Sequence, residues 1–441
     1  MKKILKGLLI AVLLLVIGIP LIALGGYTIY GLVARGSASP EHMHYLAQHQ
    51  EAFATNAPEA FKLFDKAFYQ NQIFLLGESH GSAAPQELDF ALLKHLNAKT
   101  GLRNYMAEID PSQAYYFNTY LQTGDEQNLR VAFQPWINSA QWGNTGFYNK
   151  IKQIRALNAS LPDSAKIRFI GIDRLQDLTV TSQYVRTLLQ AAQYKAGTLA
   201  PLDTLQQLLV AQPDSDKVLS TCARRLEREL GRVPQAYRAA LGPQYADVAH
   251  LVHNITYLHP RVRRDSVMSL NLQAEYERKH LGQEKLYGLW GVYHVLQGPI
   301  NKTMPLAALL KNADQPYHHK VVSLPIFSLE SETLMPTGAI PAAIRPATPY
   351  VALDWVNQDG PMVFVQGLKD LAEVSPTSNL TLFKLDAPNS PYQHSRLMLD
   401  IKAPLFGQTM SATKPNAVTT DYAQYAFLIR HSKALEPLLK K

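Results

Sequence analysis

Past residue 40 the chain is a succession of short, wholly apolar runs separated by amphipathic stretches. Ile73-Phe74-Leu75-Leu76 has no polar position, the pattern of a strand buried on both faces. Pro85-Gln86-Glu87 then opens a helix in which Leu88, Ala91, Leu92, His95 and Leu96 recur at helical spacing, and Gly101 ends it. Two more strands follow, 104–107 running into Glu108-Ile109-Asp110 and 167–170 running into Gly171-Ile172-Asp173. Strand, helix, strand in repetition predicts right-handed βαβ units, hence an α/β fold with a central, mostly parallel mixed sheet flanked by helices. Residues 41–69 read as helical. So do residues 182–285, whose lack of strands predicts a helical insertion or cap over the sheet edge. A strand at 285–290 then delivers Gly291-Val292-Tyr293-His294. The last third is β-rich, with runs at 319–324, 361–365, 380–383 and 425–429 set off by Pro, Gly and Asn.

Ahead of this domain, Met1-Lys2-Lys3 and Lys6 precede an uncharged run, 7–34, closed by Arg35. The run exceeds the roughly 20 residues that cross a bilayer and the roughly 7–15-residue core of a signal peptide, which predicts an uncleaved N-terminal transmembrane helix. Lysines before the span put the N-terminus in the cytoplasm and the rest of a single-pass protein outside it, at the periplasm or cell surface. Gly36-Ser37-Ala38-Ser39-Pro40 reads as a flexible linker. The chain thus divides into an anchor with linker, 1–40, and one α/β domain, 41–441, that carries the insertion.

Composition narrows the classes. With 441 residues, 47% hydrophobic and 18% charged, the chain can bury a large core and is neither disordered nor fibrous. Its one cysteine, Cys222, excludes an intramolecular disulfide and a thiolate zinc cluster. The net charge of +8 sits in stretches such as Arg224-Arg225-Leu226-Glu227-Arg228-Glu229, interleaved with acids or apolar residues. That is the pattern of solvated helix faces, and with no zinc finger, basic arm or stacking motif beside it the expectation is no nucleic-acid partner.

Chemistry concentrates where strands end. Gly77-Glu78-Ser79-His80-Gly81 sets a carboxylate and an imidazole at the carboxyl end of a buried strand, where open α/β sheets bind ligands. Glu108, Asp173 and His294 close other strands, so all five groups can meet in one crevice and exchange protons near neutral pH. Each alone has a structural explanation, as a helix cap or a packed histidine. Ser79 is expected to point away from its neighbours. Tyr115, Tyr116, Trp136 and Trp142 suit a substrate pocket or an ordinary core. The chain has no Gly-x-Ser-x-Gly elbow, P-loop or His-Glu-x-x-His helix.

These blocks, read in order, resemble the erythromycin esterase-like family. The resemblance is carried by Gly77-Glu78-Ser79-His80-Gly81, the strand ending in Glu108, Tyr120-Leu121-Gln122-Thr123-Gly124 and Phe169-Ile170-Gly171-Ile172-Asp173. Arg264-Asp265-Ser266-Val267-Met268-Ser269-Leu270-Asn271 and the tail from Asp421-Tyr422 to Leu438 complete it. It implies a hydrolase that needs no cofactor, acting on an ester, lactone or amide of a small-molecule or peptide substrate. His80 would be the general base, with Glu78 orienting it, His294 polarising the carbonyl or returning a proton, and Glu108 and Asp173 fixing the imidazoles. The single residue between Glu78 and His80 and the paired Gly-x-x-His motifs are also similar to Tiki/TraB-type peptidases and ChaN-like haem-binding proteins. The first would imply a divalent metal such as Mn, Co or Zn on Glu78, His80 and His294, and the second a haem or ligand carrier.

Overall fold

The computed structural model describes residues 19–136, 142–340, 342, 345–404 and 409–438. Eight strands form the central sheet: β1 (Gln50–Ala52), β2 (Ile73–Glu78), β3 (Asn104–Ala107), β4 (Arg168–Gly171), β5 (Leu286–Gly291), β6 (Val321–Leu329), β7 (Leu380–Lys384) and β8 (Tyr425–Arg430). Their order is β1-β7-β8-β6-β2-β5-β3-β4. From β8 to β4 every pairing is parallel, and β7 and β1 are added antiparallel at one edge. The fold is therefore α/β with a mostly parallel sheet.

The fully buried strands explain the unbroken apolar runs. Along them side chains alternate between two covered faces. Phe74, Leu76, Tyr105, Phe169, Tyr287 and Leu289 join one core, while Ile73, Leu75, Met106, Ile170, Leu286 and Trp290 join the other. Helices Ala83–Thr100, Pro111–Thr123 and Thr145–Ser160 cover the first face, and Arg264–Arg278 covers the second. Gly101 stops the first of these in the left-handed conformation, φ 70°, where a side chain would be strained. Between β4 and β5 lie six α-helices, from Leu178–Ala191 to Arg264–Arg278.

Three expectations are corrected. The helix read over 41–69 is broken: Pro40–Gln48 is helical, β1 follows as the sheet's edge strand, and only Lys66–Gln70 is helical again. The run at 361–365 yields a two-residue strand, Phe364–Val365, which pairs with Ile401–Lys402 outside the main sheet.

The third is the membrane-crossing helix over 7–34. Residues 7–18 lie outside the described residues, and the remainder belongs to a 17-residue helix, α1 (Ile19–Arg35). Among the described residues no helix is long and apolar enough to cross a membrane. The helix touches the domain, with Tyr27 and Tyr30 edge-on to Phe364 at 5.8 and 5.7 Å between ring centroids.

Candidate active site

The parallel register brings the two Gly-x-x-His segments together. Strands β2 and β5 are neighbours, with Glu78 opposite Gly291, so both chains leave the sheet side by side at its carboxyl edge. His80 follows β2 by two residues, and His294 lies in the single 3₁₀ turn Val292–Val295 after β5. Gly291 is where they converge: a Cβ there would stand 3.1 Å from His80 Nε2 and 3.5 Å from His294 Cδ2. A glycine lets both rings approach the strand end.

Each imidazole is held by a carboxylate behind it. His80 Nδ1 and Glu78 Oε1 are 3.0 Å apart, and His294 Nδ1 and Asp265 Oδ1 are 2.7 Å apart. With each carboxylate accepting from Nδ1–H, both Nε2 atoms are left as proton acceptors. They face the same group: His80 Nε2 lies 3.9 Å from Glu108 Oε2, and His294 Nε2 lies 3.8 Å from Glu108 Oε1. These separations leave room for a water or a substrate atom to bridge.

Glu108 is fixed from its other side. Arg264 Nη2 donates to Oε1 at 2.8 Å and the Gly291 amide to Oε2 at 3.1 Å. Burial pushes the Glu108 carboxyl up, but Arg264, His80 and His294 outweigh it and hold the group below its ordinary value. Burial likewise opposes the His80 imidazolium. The hydrogen bond to Glu78 and the charges of Glu108 and Glu78 win, so His80 titrates above the ordinary histidine value although Arg264 pulls the other way.

Of the five groups expected from sequence, Glu78, His80, Glu108 and His294 line one cavity of about 620 Å³, and Asp173 stands behind it. Asp173 is fully buried and touches neither imidazole by hydrogen bond. Its two oxygens accept from Arg264 Nε at 2.9 and 3.1 Å and from the Gln176 amide at 2.8 Å. It orients Arg264, which in turn orients Glu108. Ser79 lines the cavity, because the chain turns as soon as β2 ends. Trp142 also lines it, its ring 4.9 Å from that of His80, whereas Trp136 is buried and donates to Gln176.

Sequence reasoning left out several supporting residues. Arg264 and Asp265, neighbours at the start of one helix, serve different partners: the arginine holds Glu108 and the aspartate holds His294. An adjacent Arg-Asp pair at a helix start was the available signal. A buried relay also reaches Glu78. Lys150 Nζ donates to Gln86 Oε1 at 2.8 Å, which turns the amide so that Nε2 donates to Glu78 Oε1 at 3.2 Å. Lys150 is only 3% exposed and pairs with Asp89, which also accepts from Tyr105 and Tyr287, each at 2.6 Å. Nothing in their spacing announces this cluster.

His80 Nδ1 pairs with Glu78 Oε1, His294 Nδ1 with Asp265, and Arg264 with Glu108, while both Nε2 atoms and Glu78 Oε2 carry no hydrogen bond among the described residues. Among the described residues no three His, Cys, Asp or Glu side chains are grouped to hold a metal ion.

No family profile matches the chain, and no curated protein matches it in sequence. Solved structures do match its fold. A protein from Bacillus cereus superposes with a TM-score of 0.65 at 14% identity, over 91% of this chain and 100% of that one. A succinoglycan biosynthesis protein gives 0.61 at 15% identity, again over 91% of this chain and all of the other. A histidine-to-asparagine mutant of the erythromycin esterase EreC, in its open conformation, gives 0.62 at 12% identity, over 84% of this chain and 93% of that one. The chain is thus a distant relative, at the level of the fold, of proteins that include an erythromycin esterase.

Proposed function

We propose that the protein is a hydrolase in which His80 activates water against the carbonyl of an ester or lactone. The observation that carries this reading is the pair of carboxylate-backed imidazoles whose Nε2 atoms flank one buried, ionised carboxylate. The fold shared with an erythromycin esterase supports it. The substrate is a small molecule or peptide that enters the 620 Å³ cavity.

In this reading a water lies between His80 Nε2 and Glu108 Oε2. His80 takes one of its protons, the hydroxide forms the new C–O bond, and the carbonyl π electrons move to oxygen. The tetrahedral oxyanion re-forms the carbonyl, the bond to the leaving oxygen breaks, and that oxygen takes the proton that Nε2 of His80 accepted from the water. Glu78 and Asp265 hold the rings in the tautomer each step needs. Arg264 keeps Glu108 charged and in place, so the imidazolium that forms on His80 is stabilised by a carboxylate on either side.

The test is hydrolysis of p-nitrophenyl acetate by wild type and His80→Ala. Loss of a general base is expected to lower kcat by about 10²–10⁴-fold. An alanine variant as fast as wild type sinks the assignment. The same assay after EDTA, and again after adding Mn, Co or Zn, is expected to show no change.

A further inference from the structure

The catalytic cavity has two unlike halves. Its charged lining groups, Glu78, Glu108 and Arg264, and both histidines stand at the sheet edge. Among the described residues, the wall contributed from outside the main sheet is largely apolar, with Met335, Val356, Val363, Ile401, Ala403 and Met410. These come from a ribbon of Thr333–Pro336 with Tyr350–Leu353, from the loop after it, and from the Phe364–Val365 and Ile401–Lys402 ribbon.

Thr333, Asn357 and Gln358, set into that wall, are committed to protein partners. Gln358 Oε1 accepts from the Ser328 amide at 2.7 Å, and its Nε2 donates to Ser79 Oγ at 3.2 Å. Asn357 Nδ2 donates to the Asp354 carbonyl at 3.0 Å and to that of Ser331, and Thr333 Oγ1 donates to Asn357 Oδ1 at 3.3 Å. A charged or hydroxylated group brought against this half would give up its water for few new hydrogen bonds. An apolar group gains by burial. Two of the six wall residues are methionines, whose flexible side chains adapt to different apolar shapes.

Resting on the hydrolase reading above, we infer that this half is a subsite for an apolar acyl group. With the scissile carbonyl between His80 and His294, the acyl chain runs from the sheet edge toward Met335, Val363 and Met410. The preferred substrates are then esters of apolar acids several carbons long, not acetyl esters.

The experiment compares kcat/KM for p-nitrophenyl acetate, butyrate, hexanoate and octanoate. Burying one methylene is worth roughly a fourfold gain. The series is expected to climb by about that factor per carbon until the wall is covered, mainly through KM. Val363→Asp and Met410→Asp, each checked for an unchanged melting curve, are expected to flatten it, and if one does not fold the other decides. A flat or falling series in wild type overturns the subsite.

A second readout does not need catalysis: the rise in Tm caused by 2-decanone against 2-butanone, two neutral ketones that are not hydrolysed. The longer ketone is expected to stabilise wild type more at equal concentration, and Val363→Asp is expected to lose the difference. If no ester is cleaved yet the ketones are told apart in this way, the hydrolase reading falls and the subsite stands. Equal shifts from the two ketones, or a difference that Val363→Asp retains, overturn the subsite whatever the esters do.

Discussion

His80 is an imidazole held between two acids, and in the proposed reaction it is the base. Glu78 binds its Nδ1 and Glu108 faces its Nε2, and both favour the imidazolium against the cost of burial. A general base works only when neutral, so the acid limb of the kcat/KM profile is expected above the ordinary histidine value of about 6.5. Glu78→Gln removes a charge that raises the His80 pKa, and the limb should move to lower pH. A limb that stays put or moves up would show that another group titrates. Stability follows the same sign. A histidine whose folded pKa is raised contributes stability below its unfolded pKa and loses it as pH rises through the folded one. Behind Glu78, Gln86 is a positioning residue. Lys150 takes its carbonyl, so only its amide nitrogen can face the carboxylate.

At the scale of elements, adjacency of β2 and β5 makes the site, and Gly291 sets how close the two histidines come. Gly291→Ala would put a methyl 3.1 Å from His80 Nε2. It is expected to lower kcat by about tenfold or more through displacement of the ring, with a smaller effect on the melting curve. A wild-type kcat would mean that the ring has slack. Much of this was readable in the sequence: buried parallel strands announce themselves as unbroken apolar runs, and a glycine followed three residues later by a histidine marks the ends of β2 and β5. The strand order was not readable, since β5 and β6 flank β2 from far along the chain. Edge strand β1 was missed because three residues, Gln50, Glu51 and Ala52, carry no apolar run to announce it. The role of Gln86 was not readable because it depends on tertiary placement that no local period encodes, whereas Asp265 stood in a quoted block without its partner, His294, being apparent.

Across the whole molecule, α1 reaches the wall of the cavity that His80 and His294 line. Tyr27 donates to the Pro361 carbonyl at 2.9 Å, and Arg35 donates to the carbonyls of Asp359, at 2.8 Å, and Gly360. These contacts clasp the loop that ends in Val363, and Gln358 ties the same loop to Ser79. Replacing both Tyr27 and Arg35 by alanine removes hydrogen bonds worth about 1 kcal/mol each. It is expected to raise KM for hexanoyl esters about fivefold or more. An unchanged KM would show that the wall stands without the helix.

The pairing of β2 with β5 has one more consequence, for synthesis. A chain leaving the ribosome displays β2 long before its neighbours exist, because Leu286 and Val321, which pair with Ile73, are both made much later. Until then an apolar strand with two open edges must be kept from other chains, and contacts so distant in sequence close slowly. The two facing histidines therefore come together only after two thirds of the chain is made, and a nascent chain stalled before residue 294 holds one of them.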